Sequence, residues 1–418
     1  MTTNKAKGGL RRPGLGLYVH IPFCVKKCDY CDFPSFPGRG DTEQEAYVKA
    51  LCREIARYGQ DGCGERGGSE LRREENGGAG QIGESQEAYI SRYSVDTIFL
   101  GGGTPSLLRP SLICDILDSL GQVFSIEAEA EITIEANPGT LGPDKLKAYR
   151  SMGINRLSMG VQSLDDGILQ GLGRIHSREE VLENYGQARR AGFENINLDL
   201  MFGIPDQGLG QWEATLDEAL SLSPEHLSFY SLQIEEGTPF YHRFASGRLS
   251  QPSQELDRKM YHRALSRLEE EGYLHYEISN AARKGFACRH NMKYWTMEDY
   301  LGLGLSAHSY IRGVRFFNSS DMKEYAALSG PADIHKNDRR DSVSDYLFTG
   351  MRLVRGMDLD DFHYRYGESV FQMFPGPLER FQAQGLLEIQ DRHLRFTRRG
   401  LDFTNTVLRE LMQAGEEG

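Results

Sequence analysis

The sequence predicts an α/β protein built on a parallel sheet, and two observations lead to this prediction. Six short runs rich in apolar and β-branched residues occur between residues 16 and 240, and helical segments separate them. Strands that alternate with helices are typical of βα units, whose strands pair in parallel. The pattern leaves two architectures open, an open doubly wound sheet and a partial barrel.

The six predicted strands are short, and each ends in polar or glycine-rich sequence. The intervening segments repeat apolar residues at steps of three and four, as in EAYVKALCREIARY, which predicts amphipathic helices. The predicted strands are Gly16–Pro22, Val95–Gly103, Ala130–Pro138, Asn155–Ser163, Asn195–Pro205 and Glu225–Glu235.

Changes in composition divide the chain into segments. Residues 1–15 are predicted to be a flexible terminus, and residues 59–87, with nine glycines and many charges, a flexible insertion within the 16–240 domain. Residues 241–335 form a flanking segment that contains the pattern HNxxYW. Residues 336–418 show helices, a hairpin and a last helix, which predicts a small winged-helix-like α+β domain.

Composition excludes several classes of function. A net charge of -12 over 418 residues argues against a general nucleic-acid-binding protein, which would carry a basic field. No run of eighteen apolar residues suggests a membrane span. The basic start is followed by a strand rather than by an apolar signal core, so we expect a cytoplasmic protein.

Three of the seven cysteines lie within eight residues, at Cys24, Cys28 and Cys31. The other four are scattered, and an odd total speaks against a disulfide framework. Thiolates at this density indicate an iron or zinc site, and both metals normally take four ligands. The sequence therefore predicts a metal centre with one position left open.

Polar side chains occur near the ends of several predicted strands, where an apolar residue would be expected. Loops after the carboxyl ends of parallel strands build the active sites of such folds. The second strand ends in GGGTP, and the later strands carry Glu135, Gln162, Asp199 and Gln233. We expect these groups to meet on one face.

Their chemistry suits a zwitterionic ligand. Glu135 and Asp199 could bind an ammonium group or ribose hydroxyls, Arg174 could bind a carboxylate, and the glycines of GGGTP permit close approach. No GxxxxGK[ST] phosphate loop is present. A bound nucleoside–amino acid could thus occupy the open position of the metal centre with its amino and carboxylate groups.

The spacing Cys-x3-Cys-x2-Cys after a first strand, followed by GGGTP and Glu135, resembles the radical SAM superfamily. The resemblance implies that the three cysteines ligate a [4Fe–4S] cluster and that S-adenosylmethionine (SAM) chelates the fourth iron. It also implies a (βα)6 partial TIM-type barrel. The SAM-binding residues that it implies are Tyr18, Tyr30, Gly102, Gly103, Thr104, Glu135, Gln162, Arg174, Asp199 and Gln233.

Longer motifs resemble one branch of that superfamily, which contains oxygen-independent coproporphyrinogen III oxidases and heme chaperones. Phe33 stands where the oxidases have a fourth cysteine, and few residues precede the first strand. Both features, together with HNxxYW, imply a heme chaperone that delivers heme to apoproteins. The alternative is a radical SAM decarboxylase of coproporphyrinogen III, so an enzymatic role stays open. The motifs are YVHIPFC, GGGTPSLL, IEANP, LSMGVQS, GRIHS and NLDLMFGIP.

The HNxxYW pattern reads His290, Asn291, Tyr294 and Trp295, and the resemblance implies that these residues contact heme. An imidazole nitrogen can ligate heme iron, and aromatic rings offer flat faces to a porphyrin. Cys288 is a second candidate ligand. The implied partners are heme and apo-hemoproteins, respiratory ones in particular, and a homodimer stays open.

Overall fold

The computed structural model describes residues 14–60, 90, 93–328 and 330–417. The predicted flexible terminus lies outside this range except for Gly14 and Leu15, and the predicted insertion lies outside it except for Gly59 and Gln60.

Strands and helices of the described chain are numbered here in chain order. The strands are β1 (Gly14–Ile21), β2 (Phe23–Cys24), β3 (Phe36–Pro37), β4 (Ser94–Gly102), β5 (Ser125–Ala136), β6 (Arg156–Gln162), β7 (Ile196–Phe202), β8 (His226–Ser231), β9 (Leu274–Glu277), β10 (Asn280–Ala282), β11 (Tyr300–Leu303), β12 (His308–Ile311), β13 (Val314–Asn318), β14 (Pro331–Lys336), β15 (Met357–Asp358), β16 (Leu387–Gln390) and β17 (His393–Phe396). The helices are α1 (Asp41–Gln60), α2 (Pro110–Val123), α3 (Pro143–Ser151), α4 (Asp166–Gly171), α5 (Arg178–Arg190), α6 (Leu209–Ser221), α7 (Pro239–Ala245), α8 (Gln254–Glu270), α9 (Arg289–Trp295), α10 (Met322–Ala326), α11 (Arg339–Gly350), α12 (Leu359–Tyr366), α13 (Val370–Met373), α14 (Pro377–Ala383) and α15 (Thr404–Glu417).

The six predicted strands form the centre of one sheet. They pair in parallel in the order β1-β4-β5-β6-β7-β8, which follows the chain without reversal. A doubly wound sheet would reverse its strand order at a switch point. The strand order therefore confirms the (βα)6 partial barrel.

The flanking segment contributes more strands than the sequence suggested. β11 pairs in parallel with β1, and β12, β13 and β14 continue the sheet in antiparallel fashion. At the opposite edge, β10 and β9 follow β8. These strands have only three to six residues each, which is too short for a clear alternating pattern.

Helix α9 lies at the amino-terminal ends of the barrel strands. The Glu131 carboxylate on β5 accepts the backbone N–H groups of Arg289 and His290, both at 3.1 Å. The His290 ring contacts Thr97 near the start of β4. Helix α9 thereby closes the barrel at the end opposite the cysteine loop.

The carboxyl-terminal domain has its own core and a three-stranded sheet ordered β15-β17-β16, which confirms its predicted α+β character. Its contacts with the barrel include a β-bridge between Glu277 and Leu353 and an ion pair between Glu277 and Arg352. Among the helices within the described ranges, none combines the length and the apolar character needed to cross a lipid bilayer.

The packing of β11 against β12 generates a stability prediction. A Cβ at Gly302 would lie 2.2 Å from the backbone oxygen of His308, so we expect Gly302→Ala to destabilise the protein by about 1–3 kcal/mol. At the exposed Gly121 in α2, a Cβ would meet no atom within 4 Å, so Gly121→Ala should stabilise it by about 0.5–1 kcal/mol. Urea unfolding followed by circular dichroism measures both changes, and equal effects of the two substitutions would contradict the close approach.

Candidate functional site

The cysteine loop follows β1 at the carboxyl-terminal end of the barrel. Its backbone is folded on itself: the Cys31 N–H donates to the Cys28 carbonyl at 3.2 Å, and the Gly38 N–H donates to the Cys24 carbonyl at 3.1 Å. All three cysteines are half-buried free thiols. The loop thus presents three potential ligands from one short segment.

Hydrogen-bond donors from two other loops approach these sulfurs. Thr104 Oγ1 lies 3.6 Å from Cys24 Sγ, and Arg174 Nη1 lies 3.5 Å from Cys28 Sγ. Arg174 is itself fixed, because its Nη2 donates to Asn137 Oδ1 at 2.7 Å and to the Gly160 carbonyl at 2.5 Å. Such donors stabilise the negative charge of metal-bound thiolates.

The three thiols fit the donor set of a [4Fe–4S] cluster, whose irons are held by cysteine thiolates. Among the described residues, no three His, Cys, Asp or Glu side chains converge on one ion position. In a [4Fe–4S] cluster, three cysteines can each bind a different iron and need not converge. Burial raises the pKa of the Cys31 thiol to about 11, so metal binding at neutral pH must displace its proton.

A cavity of ≈ 230 Å³, which we call the barrel chamber, extends from beside the cysteine loop into the barrel. Inward-facing side chains of the parallel strands and of α9 form its walls. These include Gly102, Glu135, Tyr18, Asp199, Tyr294 and Arg156.

Glu135 lies at the mouth of the chamber. Its Oε2 accepts the Gly102 N–H at 3.0 Å, and Gly102 has a φ of 112°, a conformation that favours glycine. Burial, and secondarily the nearby Asp199 carboxylate, raise the pKa of Glu135 to about 8. A cationic ligand beside Glu135 would lower this pKa, because its positive charge favours the ionised carboxylate.

The other GGGTP amides are already used within the protein. The Gly103 N–H donates to the Ile21 carbonyl at 2.9 Å, and the Thr104 N–H donates to the Phe23 carbonyl at 2.7 Å. A Cβ at Gly103 would lie 2.7 Å from the Phe23 oxygen, so glycine is required for this approach. A ligand at this turn would therefore depend on neighbouring side chains more than on these amides.

Asp199, on β7, also lines the chamber. It accepts hydrogen bonds from Ser158 Oγ at 3.1 Å and from Asn197 Nδ2 at 2.8 Å, and burial raises its pKa. Two buried carboxyl groups with raised pKa values suit an ammonium group or ribose hydroxyls, as the sequence suggested.

Tyr18 is linked to the cysteine loop through His20. The Tyr18 hydroxyl lies 2.9 Å from His20 Nδ1, and His20 Nε2 lies 3.0 Å from the Pro34 carbonyl. Burial lowers the pKa of His20, which keeps the ring neutral at pH 7. His20 is thus a positioning residue between the chamber and the loop.

Six of the ten predicted SAM residues lie outside the chamber walls. Gly103, Thr104 and Arg174 contact the cysteine loop or the strand before it, and the other three are Tyr30, Gln162 and Gln233. Tyr30 packs against Phe240, with ring centroids 6.4 Å apart, on the cysteine loop near Arg174. Gln162 ends β6 with a φ of 64°. Gln233 is exposed on the loop after β8, and its Nε2 lies 3.5 Å from the Ser231 carbonyl.

The four HNxxYW residues belong to α9. His290 is 1% exposed, and both of its ring nitrogens have partners: Nδ1 lies 2.9 Å from Thr97 Oγ1 and Nε2 lies 2.8 Å from the Tyr294 hydroxyl. Burial lowers the pKa of His290 to about 3. Asn291 and Tyr294 line the chamber, whereas Trp295 lies beneath Arg352 of the carboxyl-terminal domain, 4.5 Å from ring centroid to guanidinium carbon.

The sequence analysis missed the polar residues deep inside the barrel. Buried parallel strands are usually apolar throughout, but in these strands polar residues recur at alternate positions. This alternation is the signal that could have identified the inward-facing polar residues. Apart from the residues already predicted, this inward set includes Arg156, Ser158, Asn197, His226 and Ser228.

Comparison with known proteins gives two family matches. Residues 18–219 match the radical SAM superfamily, and residues 337–403 match the HemN C-terminal domain. The heme chaperone HemW of Bacillus subtilis is 35% identical over 93% of this chain and 97% of its own length. A mitochondrial radical SAM domain-containing protein 1 of Bos taurus is 32% identical over 98% of this chain and 91% of its own length.

Among solved structures, coproporphyrinogen III oxidase (HemN) of Escherichia coli has a similar fold. The TM-score is 0.78, with 22% identity over 96% of this chain and 90% of that chain. At this level of identity, the similarity shows the fold alone.

The cysteine loop generates a prediction for the cluster. We expect Cys28→Ala to abolish the absorbance of a reconstituted [4Fe–4S] centre, because one iron loses its thiolate. Cys114→Ala, which removes a thiol on α2, is the control and should leave the absorbance unchanged. Stoichiometric iron and sulfide in the Cys28 variant would contradict the ligand assignment.

The raised pKa of Glu135 generates a prediction for SAM binding. Below a pKa of about 8 the carboxyl group is protonated, and a cationic ligand favours its ionised form, so binding at neutral pH should release a proton. Affinity should rise with pH toward 8, by at most about tenfold per unit.

Calorimetric titration in two buffers with different heats of ionisation measures this proton release. The Glu135→Gln variant should show less proton release than the wild type, which separates Glu135 from the titrating groups of SAM itself. Equal proton release by both proteins would contradict the assignment.

Proposed function

This chain belongs to the radical SAM superfamily and, within it, to the family of the heme chaperone HemW, and on this premise we propose that it binds heme and delivers it to apo-hemoproteins. The likeness to a bacterial heme chaperone over nearly the full length of both chains carries the proposal.

Superfamily membership implies a [4Fe–4S] cluster and SAM, and the donor set described above fits both. When bound, these groups supply one-electron chemistry. The chain's own part is to bind and orient: Cys24, Cys28 and Cys31 would hold the cluster, and Arg174 donates toward the Cys28 sulfur. Glu135, with the remaining SAM residues predicted above, is proposed to hold SAM.

The HNxxYW segment remains our proposed heme contact. In the described conformation, His290 could ligate iron only after giving up its hydrogen bond to Thr97 or to Tyr294. Heme capture at His290 therefore requires a rearrangement of α9, and the low pKa keeps the imidazole unprotonated and able to bind a metal.

We propose apo-hemoproteins of respiration as recipients and the cytoplasm as the location. Three cysteines at metal-ligand spacing in a chain with an odd number of cysteines support a reducing compartment. A homodimer is compatible with this role and is tested by light scattering.

Oxygen-independent coproporphyrinogen III oxidation is the second candidate, since the SAM site would serve either role. Phe33, at the position of the oxidases' fourth cysteine, is 61% exposed and weighs against it. Turnover of coproporphyrinogen III with SAM and a reductant would favour this second activity.

An anaerobic heme titration followed through the Soret band tests the chaperone proposal. We expect saturable binding by the wild type and at least about tenfold weaker or spectrally altered binding by His290→Ala, because the variant lacks the proposed axial ligand. The measurement also reports the ligand class through the band position.

His226→Ala is the matched control. His226 is also fully buried in the barrel, with Nδ1 2.6 Å from Asn197 Oδ1 and Nε2 2.8 Å from the Tyr276 hydroxyl. The His226→Ala variant should keep the wild-type Soret band. Both substitutions remove a buried imidazole, but only His290→Ala removes the proposed ligand. Identical spectra for the wild type and both variants would contradict ligation by His290.

A further inference from the structure

The inner end of the barrel chamber contains a positive charge whose hydrogen-bonding groups have no protein partner. We propose that this end, formed by Arg156 and Asn291, is a binding site for a small carboxylate. The site lies at the closed floor of the barrel, away from the cysteine loop. The proposal does not rest on heme carriage and goes beyond it.

Arg156 is the first residue of β6, and its side chain enters the chamber. The residue is 2% exposed, and its Nε has no hydrogen-bond partner. Within the ranges that the structure describes, its guanidinium group forms neither a hydrogen bond nor an ion pair. Burying a charge without hydrogen-bonding partners costs free energy, so a hydrogen-bond acceptor inside the cavity would stabilise the Arg156 guanidinium.

The nearest carboxylates do not supply that acceptor. Glu131, Asp199 and Glu135 attract Arg156 through space, and Glu135 accepts the Gly102 N–H instead. Glu131 instead accepts the backbone N–H groups of α9, and Asp199 accepts from Ser158 and Asn197. Arg156 is charged at any physiological pH, and within the described ranges none of these carboxylates forms a hydrogen bond or an ion pair with it.

Asn291 supplies a second free polar group in the same cavity. Its side chain lines the chamber from α9 and, among the described residues, makes no hydrogen bond of its own. A guanidinium fork binds a carboxylate through two parallel N–H···O bonds, and a carboxamide N–H can donate to the same oxygens. Together these groups match a carboxylate more closely than a neutral ligand.

The size of the chamber limits the ligand. At ≈ 230 Å³ it is smaller than the roughly 300–1,000 Å³ of pockets that enclose drug-sized molecules, so a whole tetrapyrrole does not fit. The ligand is therefore a small organic acid, or the carboxylate of a molecule that enters from the mouth. SAM also carries a carboxylate, which is expected at the cluster, so the experiment must distinguish binding there from binding at Arg156. Ordered water alone is the competing occupant.

Propionate and propionamide are matched probes because they differ in charge but hardly in shape. We would titrate each into the cluster-reconstituted full chain and follow binding by saturation-transfer NMR. Propionate should bind saturably and at least about tenfold more tightly than propionamide. Arg156→Gln should weaken propionate binding about tenfold or more, Arg156→Lys should weaken it less, and Arg178→Gln, on the protein surface, should not change it.

Equal binding of the two probes, no saturable binding, or wild-type affinity in Arg156→Gln would overturn the proposal. If Arg156→Gln does not fold, Asn291→Ala decides: it should weaken propionate binding severalfold, and an unchanged affinity would overturn the two-residue site.

Competition with SAM shows where propionate binds. Displacement of propionate by SAM but not by 5′-methylthioadenosine, which lacks the amino acid part, would place propionate where the SAM amino acid part binds at the cluster and would overturn its position at Arg156. Displacement by neither supports a separate acid. Displacement by both would place propionate in the nucleoside part of the chamber and overturn its position at Arg156.

Discussion

A single carboxylate holds the floor of this barrel in place. Glu131 accepts the first two backbone N–H groups of α9, which have no partner within the helix, and a negative charge at this end also interacts favourably with the helix dipole. Because α9 is fixed under the strands, the chamber is closed at the end formed by Arg156 and open beside the cysteine loop. The contact between Glu131 and α9 therefore gives the chamber one closed end and one open, ligand-binding end.

The same helix links the barrel to the carboxyl-terminal domain. His290 and Tyr294 face the barrel, whereas Trp295 packs beneath Arg352, which also pairs with the fully buried Glu277. A heme bound by His290 would disturb the barrel floor and this domain contact together. Heme binding at HNxxYW and ligand binding in the chamber are therefore expected to influence each other.

Contacts with the rest of the barrel hold the cysteine loop in place. The Asp29 N–H donates to the Leu172 carbonyl at 3.2 Å, the Phe240 N–H donates to the Asp29 carbonyl at 2.9 Å, and Arg243 forms an ion pair with Asp29. These contacts tie the loop to segments that follow β6 and β8. Such pre-organisation lowers the ordering cost of assembling a cluster there.

The sequence by itself determined the six parallel strands and the three-cysteine loop, because strand periodicity and ligand spacing are local properties of the chain. Only the tertiary structure decided where HNxxYW lies, that His290 already has two partners, and that Gln233 is exposed. It also revealed Arg156, which the sequence shows only as one polar residue at the start of a strand. Contacts between strand β6 and a helix more than a hundred residues later arise from the closure of the barrel, which no local pattern records.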